Sequence, residues 1–157
     1  MRRPPARRRF PVRTLHVVDI ENLAGTAIPS PLQVATVQRL YDAQLGLAAD
    51  DQVVMATSHL ALMNAARGWP HVRYRVRSGP NGADLELLDV LFHEDVAARF
   101  SHVVIGSGDG LFVRAATTLT AGGVRVTVAS RPESLSWNLR RAATDVVFLN
   151  SNKPVAA

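Results

Sequence analysis

The chain has 157 residues, 47% of them hydrophobic, and no cysteine. That is one domain of ordinary size, able to bury roughly 68% of the surface it exposes when unfolded; disulfides, zinc–thiolate sites and thiol nucleophiles are excluded together, and a reducing, cytoplasmic location is the expectation. The net charge of +5 is lopsided: residues 1–14 carry six arginines (Arg2, Arg3, Arg7, Arg8, Arg9 and Arg13) and no acid, which leaves 12 basic and 13 acidic residues, a net charge of −1, for the rest.

Residues 1–13, rich in Pro and Arg, are expected to form a disordered arm. They lack the apolar segment of a secretory signal, and three prolines interrupt any amphipathic transit helix. No stretch approaches the roughly 20 apolar residues of a membrane span. The body, residues 14–150, alternates short apolar runs with amphipathic segments. Residues 15–20 (LHVVDI) form a continuous apolar run ending on an acid, as in a buried parallel strand. Apolar residues at near-helical spacing predict a helix over 31–44. Residues 52–57 (QVVMAT) read as a second strand, and 60–66 as a short helix stopping before Gly68 and Pro70.

Residues 72–76 alternate strictly, with Val72, Tyr74 and Val76 on one face and Arg73, Arg75 and Arg77 on the other, which predicts a half-exposed strand at a sheet edge. The turn cluster SGPNG (78–82) leads into a long helix predicted over 83–99 on the stripe Leu87, Leu88, Leu91, Phe92, Val96 and Phe100. A fourth strand over 102–105 opens into the loop GSGDG (106–110). A helix over 111–121 ends at Gly122 and Gly123, followed by a strand over 124–129, a helix over 135–143 and a strand over 146–149. Residues 151–157 are expected to form a flexible tail. Strands separated by helices throughout predict an α/β sheet with parallel crossovers and one domain.

In such sheets ligands bind beyond the carboxyl ends of the strands. Asp19 ends the first strand, Asp109 lies in the loop leaving the fourth, and Asp84 begins a crossover helix, so all three can project to one end. Clustered acids repel, and a cluster therefore implies a cation. Oxygen ligands without His or Cys nearby suit Mg2+ or Mn2+, which activate water and hold phosphate oxygens. The competing reading of each acid is a helix cap or turn former. Glu21 is expected to point away from Asp19 if the strand continues. Asp145 reads as a cap or salt-bridge partner. The five histidines lack ligand spacing, and GSGDG is not a dinucleotide-binding G-x-G-x-x-G.

The motifs VVDIEN (17–22), NGADLELLDVL (81–91), VVIGSGDGLF (103–112) and ATDVVFL (143–149) together resemble the NYN-domain family of PIN-like nucleases, over about residues 14–150. The resemblance implies a Rossmann-like three-layer α/β/α sandwich with a mostly parallel central sheet, and Mg2+- or Mn2+-dependent hydrolysis of RNA phosphodiester bonds. By position it puts catalytic and metal-ligating roles on Asp19, Asp84 and Asp109. Asn22 falls on the family's paired Asn, contacting phosphate or only shaping the turn; Ser107 orients Asp109 or satisfies loop backbone. Two positions depart from the pattern: Asn81 stands where the family often has Lys, and Leu111 where it often has a second Asp. Asp89 either compensates from a supporting position or is a solvent-exposed helix charge, being about 140° round the helix from Asp84. The loss at Leu111 gives the alternative function, a weakened or inactive RNA-binding module.

RNA is the expected partner, with no membrane partner and a homodimer left open. Arg7, Arg8 and Arg9 of the arm are expected to neutralise phosphates. Arg73, Arg75 and Arg77 offer a second basic strip, whose competing reading is an edge strand protected by charge. No aromatic stacking platform accompanies that strip.

Overall fold

The computed structural model describes residues 12–150. The arm arginines Arg7, Arg8 and Arg9 and the tail 151–157 lie outside the described residues. Six strands, β1 (Thr14–Asp19), β2 (Gln52–Thr57), β3 (Arg73–Val76), β4 (His102–Gly106), β5 (Arg125–Ser130) and β6 (Asp145–Phe148), form one sheet in the order β3-β2-β1-β4-β5-β6. Every pairing is parallel. Helices α1 (Ile20–Ala24), α2 (Pro31–Leu45), α3 (Leu62–Gly68), α4 (Gly82–His93), α5 (Val96–Arg99), α6 (Val113–Ala121) and α7 (Trp137–Ala142) connect them, with 3-10 turns at Gly110–Phe112 and Pro132–Ser134. No helix among the described residues is long and apolar enough to cross a membrane.

A parallel sheet buries both faces, so its central strands must be apolar on both sides. β1 meets this by sending Leu15 and Val17 into one core and Val18 into the other. The first core gathers Leu87 and Leu91 of α4, Phe112, Ala116 and Leu119 around α6, and Leu139 of α7. The second gathers Val34, Val37 and Tyr41 of α2 with Ala65 and Trp69. The result is the expected α/β/α sandwich. His16, on the second face, is buried and held by the Tyr41 hydroxyl (2.7 Å) and Asp51 (3.0 Å).

The helix starts have local causes. Ser30 caps α2 in a reciprocal capping box with Gln33, with Pro31 at the first helical position. The helix expected over 83–99 is two: α4 ends at His93, Asp95 takes a left-handed conformation (φ 51°), and α5 restarts at Val96. The apolar stripe survives because Val96 and Phe100 still enter the first core, and Asp is among the residues that tolerate the left-handed region. β3 is the sheet edge the alternation predicted. The unforeseen element is α1: the chain turns helical directly after Asp19.

Candidate active site

In the order β3-β2-β1-β4-β5-β6 the connections run to opposite sides of the sheet at β1 and β4, and that is where a crevice opens beyond the strand ends. Asp19 ends β1 on one side of the crevice and Ser107 follows β4 on the other. A cleft of about 270 Å³ opens beside the crevice, beyond the ends of β1, β2 and β3 and against the start of α4, lined by Asp19, Glu21, Asn22, Ser58, Arg77 and Asp84, with Asn81 and neighbouring turn residues.

Asp19 is buried and caps α1, its Oδ1 accepting from the Asn22 amide at 3.2 Å. Asp84, in the first turn of α4, is buried too, and its Oδ1 has no hydrogen-bond partner. The two carboxyls are within hydrogen-bonding reach of one another. Burial drives Asp19 well above the usual carboxylate range; the Asp84 carboxyl and Glu21 push the same way, and the Asn22 amide opposes. Asp84 is raised as well, by burial first and then by Asp109 and Glu21, while its hydrogen bond with Asp19 opposes. Both carboxyls therefore release their protons less readily than exposed ones do, burial being the largest cause for each.

Asp109 completes a line of three acids with Asp84 in the middle. Its Oδ1 accepts from the Leu111 amide at 2.8 Å, and its own amide donates to Ser107 Oγ at 3.2 Å. Ser107 is fully buried and serves this loop backbone, which fixes where Asp109 stands. Asn22 links the two strand ends: its Oδ1 accepts from the Gly108 amide at 3.1 Å, and its carbonyl accepts from Arg131 Nε at 3.1 Å.

Glu21 does not point away from Asp19. The strand stops at Asp19, and the helical turn brings Glu21 into the cleft, where its Oε1 accepts from the Ser58 amide at 2.8 Å and from Thr57 Oγ1 at 3.3 Å. It is the acid that strand periodicity missed. Asp89 is not brought into the cleft. It lies on the outer face of α4, bonded to Arg75 (2.7 Å) and His93 (2.9 Å), so the structure gives it the solvent-exposed role of its two readings.

The arginine strip divides likewise. Arg73 makes a two-pronged pair with Glu94 (2.6 and 2.7 Å), and Arg75 is enclosed by Glu86, Asp89 and Glu94. Their charges are met by the α4–α5 segment, which corrects the expectation that they offer themselves to phosphate. Arg77 alone of the three lines the acid cleft, and it is exposed. Asp145 pairs with Arg125 at 2.7 Å, a salt-bridge partner as read.

The donors can be tested against a metal ion. Among the described residues no three His, Asp or Glu side chains converge on one point as a ready-made cage. Mg2+ does not require one: it keeps several waters and takes one or two carboxylates plus substrate oxygens. Two buried, repelling carboxyls with one orphaned oxygen suit such an ion. Asp19 and Asp84 are the residues that would hold it, with Asp109 beside them.

A model of the NYN domain matches residues 31–150. The matched segment includes Asp84 and Asp109 and begins after Asp19. No curated protein matches the chain. Among solved structures, a protein of unknown function from Vibrio parahaemolyticus is similar, with a TM-score of 0.60 and 16% sequence identity, covering 89% of this chain and 94% of that one. At that identity the likeness concerns the fold.

Proposed function

This chain belongs to the NYN-domain family, with its PIN-like nuclease fold, and on that footing we propose that it is a ribonuclease dependent on Mg2+ or Mn2+, with RNA phosphodiester as substrate. The observation that carries the reading is the buried Asp19–Asp84 pair with its unpartnered Oδ1. Burying an acceptor without a donor costs on the order of 1–3 kcal/mol, and a fold has no structural need for two adjacent buried acids. A cation offsets that cost.

Asp19 and Asp84 hold the cation seat. A divalent ion bound there supplies water activation and charge neutralisation at the phosphate. Asp109, anchored to the Leu111 amide, accepts the proton of the attacking water as its oxygen bonds to phosphorus; the departing sugar oxygen takes a proton from solvent. Asn22 keeps the β1 and β4 ends in register, so Asp19 and Asp109 hold their spacing. Arg77, exposed at the cleft, neutralises a neighbouring phosphate.

The test is cleavage of end-labelled single-stranded RNA with Mn2+, with chelator, and by Asp84→Asn. Cleavage by wild type alone, abolished by chelator, is expected; equal cleavage by the variant would refute the assignment. The reading as a binding module without catalysis has its own observation. Leu111 is 42% exposed beside Asp109, where a second acid would serve. It predicts RNA binding without cleavage, and cleavage gained in Leu111→Asp.

A further inference from the structure

Large aromatic side chains stabilise a fold by leaving water, so an exposed one is the informative case. The chain has two tryptophans. Trp69 is 2% exposed in the second core, whereas Trp137, the first residue of α7, is 68% exposed. Its position is set by the acid loop. The Ser136 amide donates to the Gly108 carbonyl at 2.8 Å. A Cβ on Gly108 would sit 2.3 Å from the Ser134 carbonyl oxygen, and one on Gly110 would sit 3.2 Å from Ser136 Oγ. Glycines on both sides of Asp109 thus let the segment 134–136 press against the loop, and Trp137 is the next residue. α7 also packs on the Gly110–Phe112 turn.

The charge beside Trp137 differs from that on β3. Arg140 and Arg141 are exposed on α7, and neither has an acidic partner among the described residues. Arg141 is four residues after Trp137 and shares its helix face. An exposed indole beside cations without acidic partners, next to the proposed phosphodiesterase centre, is the combination by which proteins hold unpaired nucleic acid: bases stack on the ring and phosphates meet the cations.

We propose that Trp137 is a stacking platform for an unpaired RNA base flanking the scissile phosphate, with Arg141 at the strand's backbone. The choice of RNA and of its course past Asp109 rests on the nuclease reading; binding itself does not require cleavage. The full chain is titrated with single-stranded oligoadenylate in chelator while tryptophan emission is followed. Trp69 supplies a shielded background, so quenching reports Trp137, and the affinities of the variants, which lack that reporter, are read by filter binding against wild type. Trp137→Phe keeps most of the affinity, because a π face remains. Trp137→Leu retains an apolar surface without that face and weakens binding by about 5- to 150-fold, the range for loss of one stacked base. Both variants are at an exposed site, and unchanged melting curves verify their folds. Emission unmoved by RNA, as for an indole that docks a protein instead, or equal affinity of the Leu variant, overturns the proposal. Chelator separates the two claims: cleavage without stacking sinks this one alone, and stacking without cleavage sinks the nuclease reading alone.

Discussion

Asp84→Asn separates a functional acid from a structural one, because the two roles predict opposite signs for stability. In the metal-free protein Asp84 Oδ1 is buried without a partner, and its carboxyl faces those of Asp19 and Asp109. Asn has the same shape, removes one of the repelling acids, and carries an amide that can donate to Asp19. Exchanging the carboxyl–carboxyl contact for an amide–carboxylate hydrogen bond contributes about 1–3 kcal/mol. For a chain of this length each kcal/mol moves Tm by about 2–4 °C, so the metal-free variant melts about 2–12 °C higher than wild type. Mn2+ then acts in the other direction. At a hundredfold excess over Kd it stabilises wild type by about 2.7 kcal/mol, and it leaves the variant where it was. The assay is a thermal melt in chelator and in a Mn2+ series. A variant that melts lower than wild type in chelator, yet gains as much from Mn2+, refutes the reasoning and makes Asp84 a helix-start residue.

Three further outcomes follow from the same geometry. The native pair keeps a proton at pH values where the unfolded chain, with Asp at 3.8, has released it; the native state binds more protons, so metal-free stability falls as pH rises from about 4 through the raised native values. Urea unfolding of wild type minus Asp84→Asn isolates the share of this slope that depends on Asp84 and cancels His16, whose burial-lowered pKa acts with opposite sign, costing stability as pH falls below 6.5; parallel profiles would contradict it. Arg77→Ala weakens RNA binding and lowers the salt-dependence slope by about 0.7, whereas Arg73→Ala, removing a guanidinium already committed to Glu94, leaves both unchanged in filter binding. Gly108→Ala forces a Cβ to 2.3 Å from the Ser134 carbonyl and 2.4 Å from Ser130 Oγ, and chemical denaturation should register a loss of about 1–3 kcal/mol or more.

Much of the architecture was legible because a buried parallel sheet leaves simple marks. LHVVDI is apolar on both faces, and β1 occupies the sheet centre; the alternating arginines of β3 announced an edge. What escaped was local or long-range. α1 is five residues long, too short for a period to register, and that omission misdirected Glu21. The break at Asp95 was invisible because Val96 and Phe100 keep the stripe's phase. The partners of Arg73 and Arg75 come from Glu86, Asp89 and Glu94, up to 21 residues away, so the strip looked free when read alone. Asp19 and Asp84 were legible by placement at strand and helix ends. Their direct pairing, with Asp109 set to one side by the Leu111 amide and Ser107, depends on backbone turns the sequence does not spell out.

The central claim is that Asp19 and Asp84 form a cation seat. Crystals soaked in Mn2+ test it most directly, through anomalous scattering. The account predicts one strong peak between the Asp19 and Asp84 carboxylates, beside Asp109, absent from Asp84→Asn. Full occupancy elsewhere, or no peak at saturating Mn2+, would contradict it.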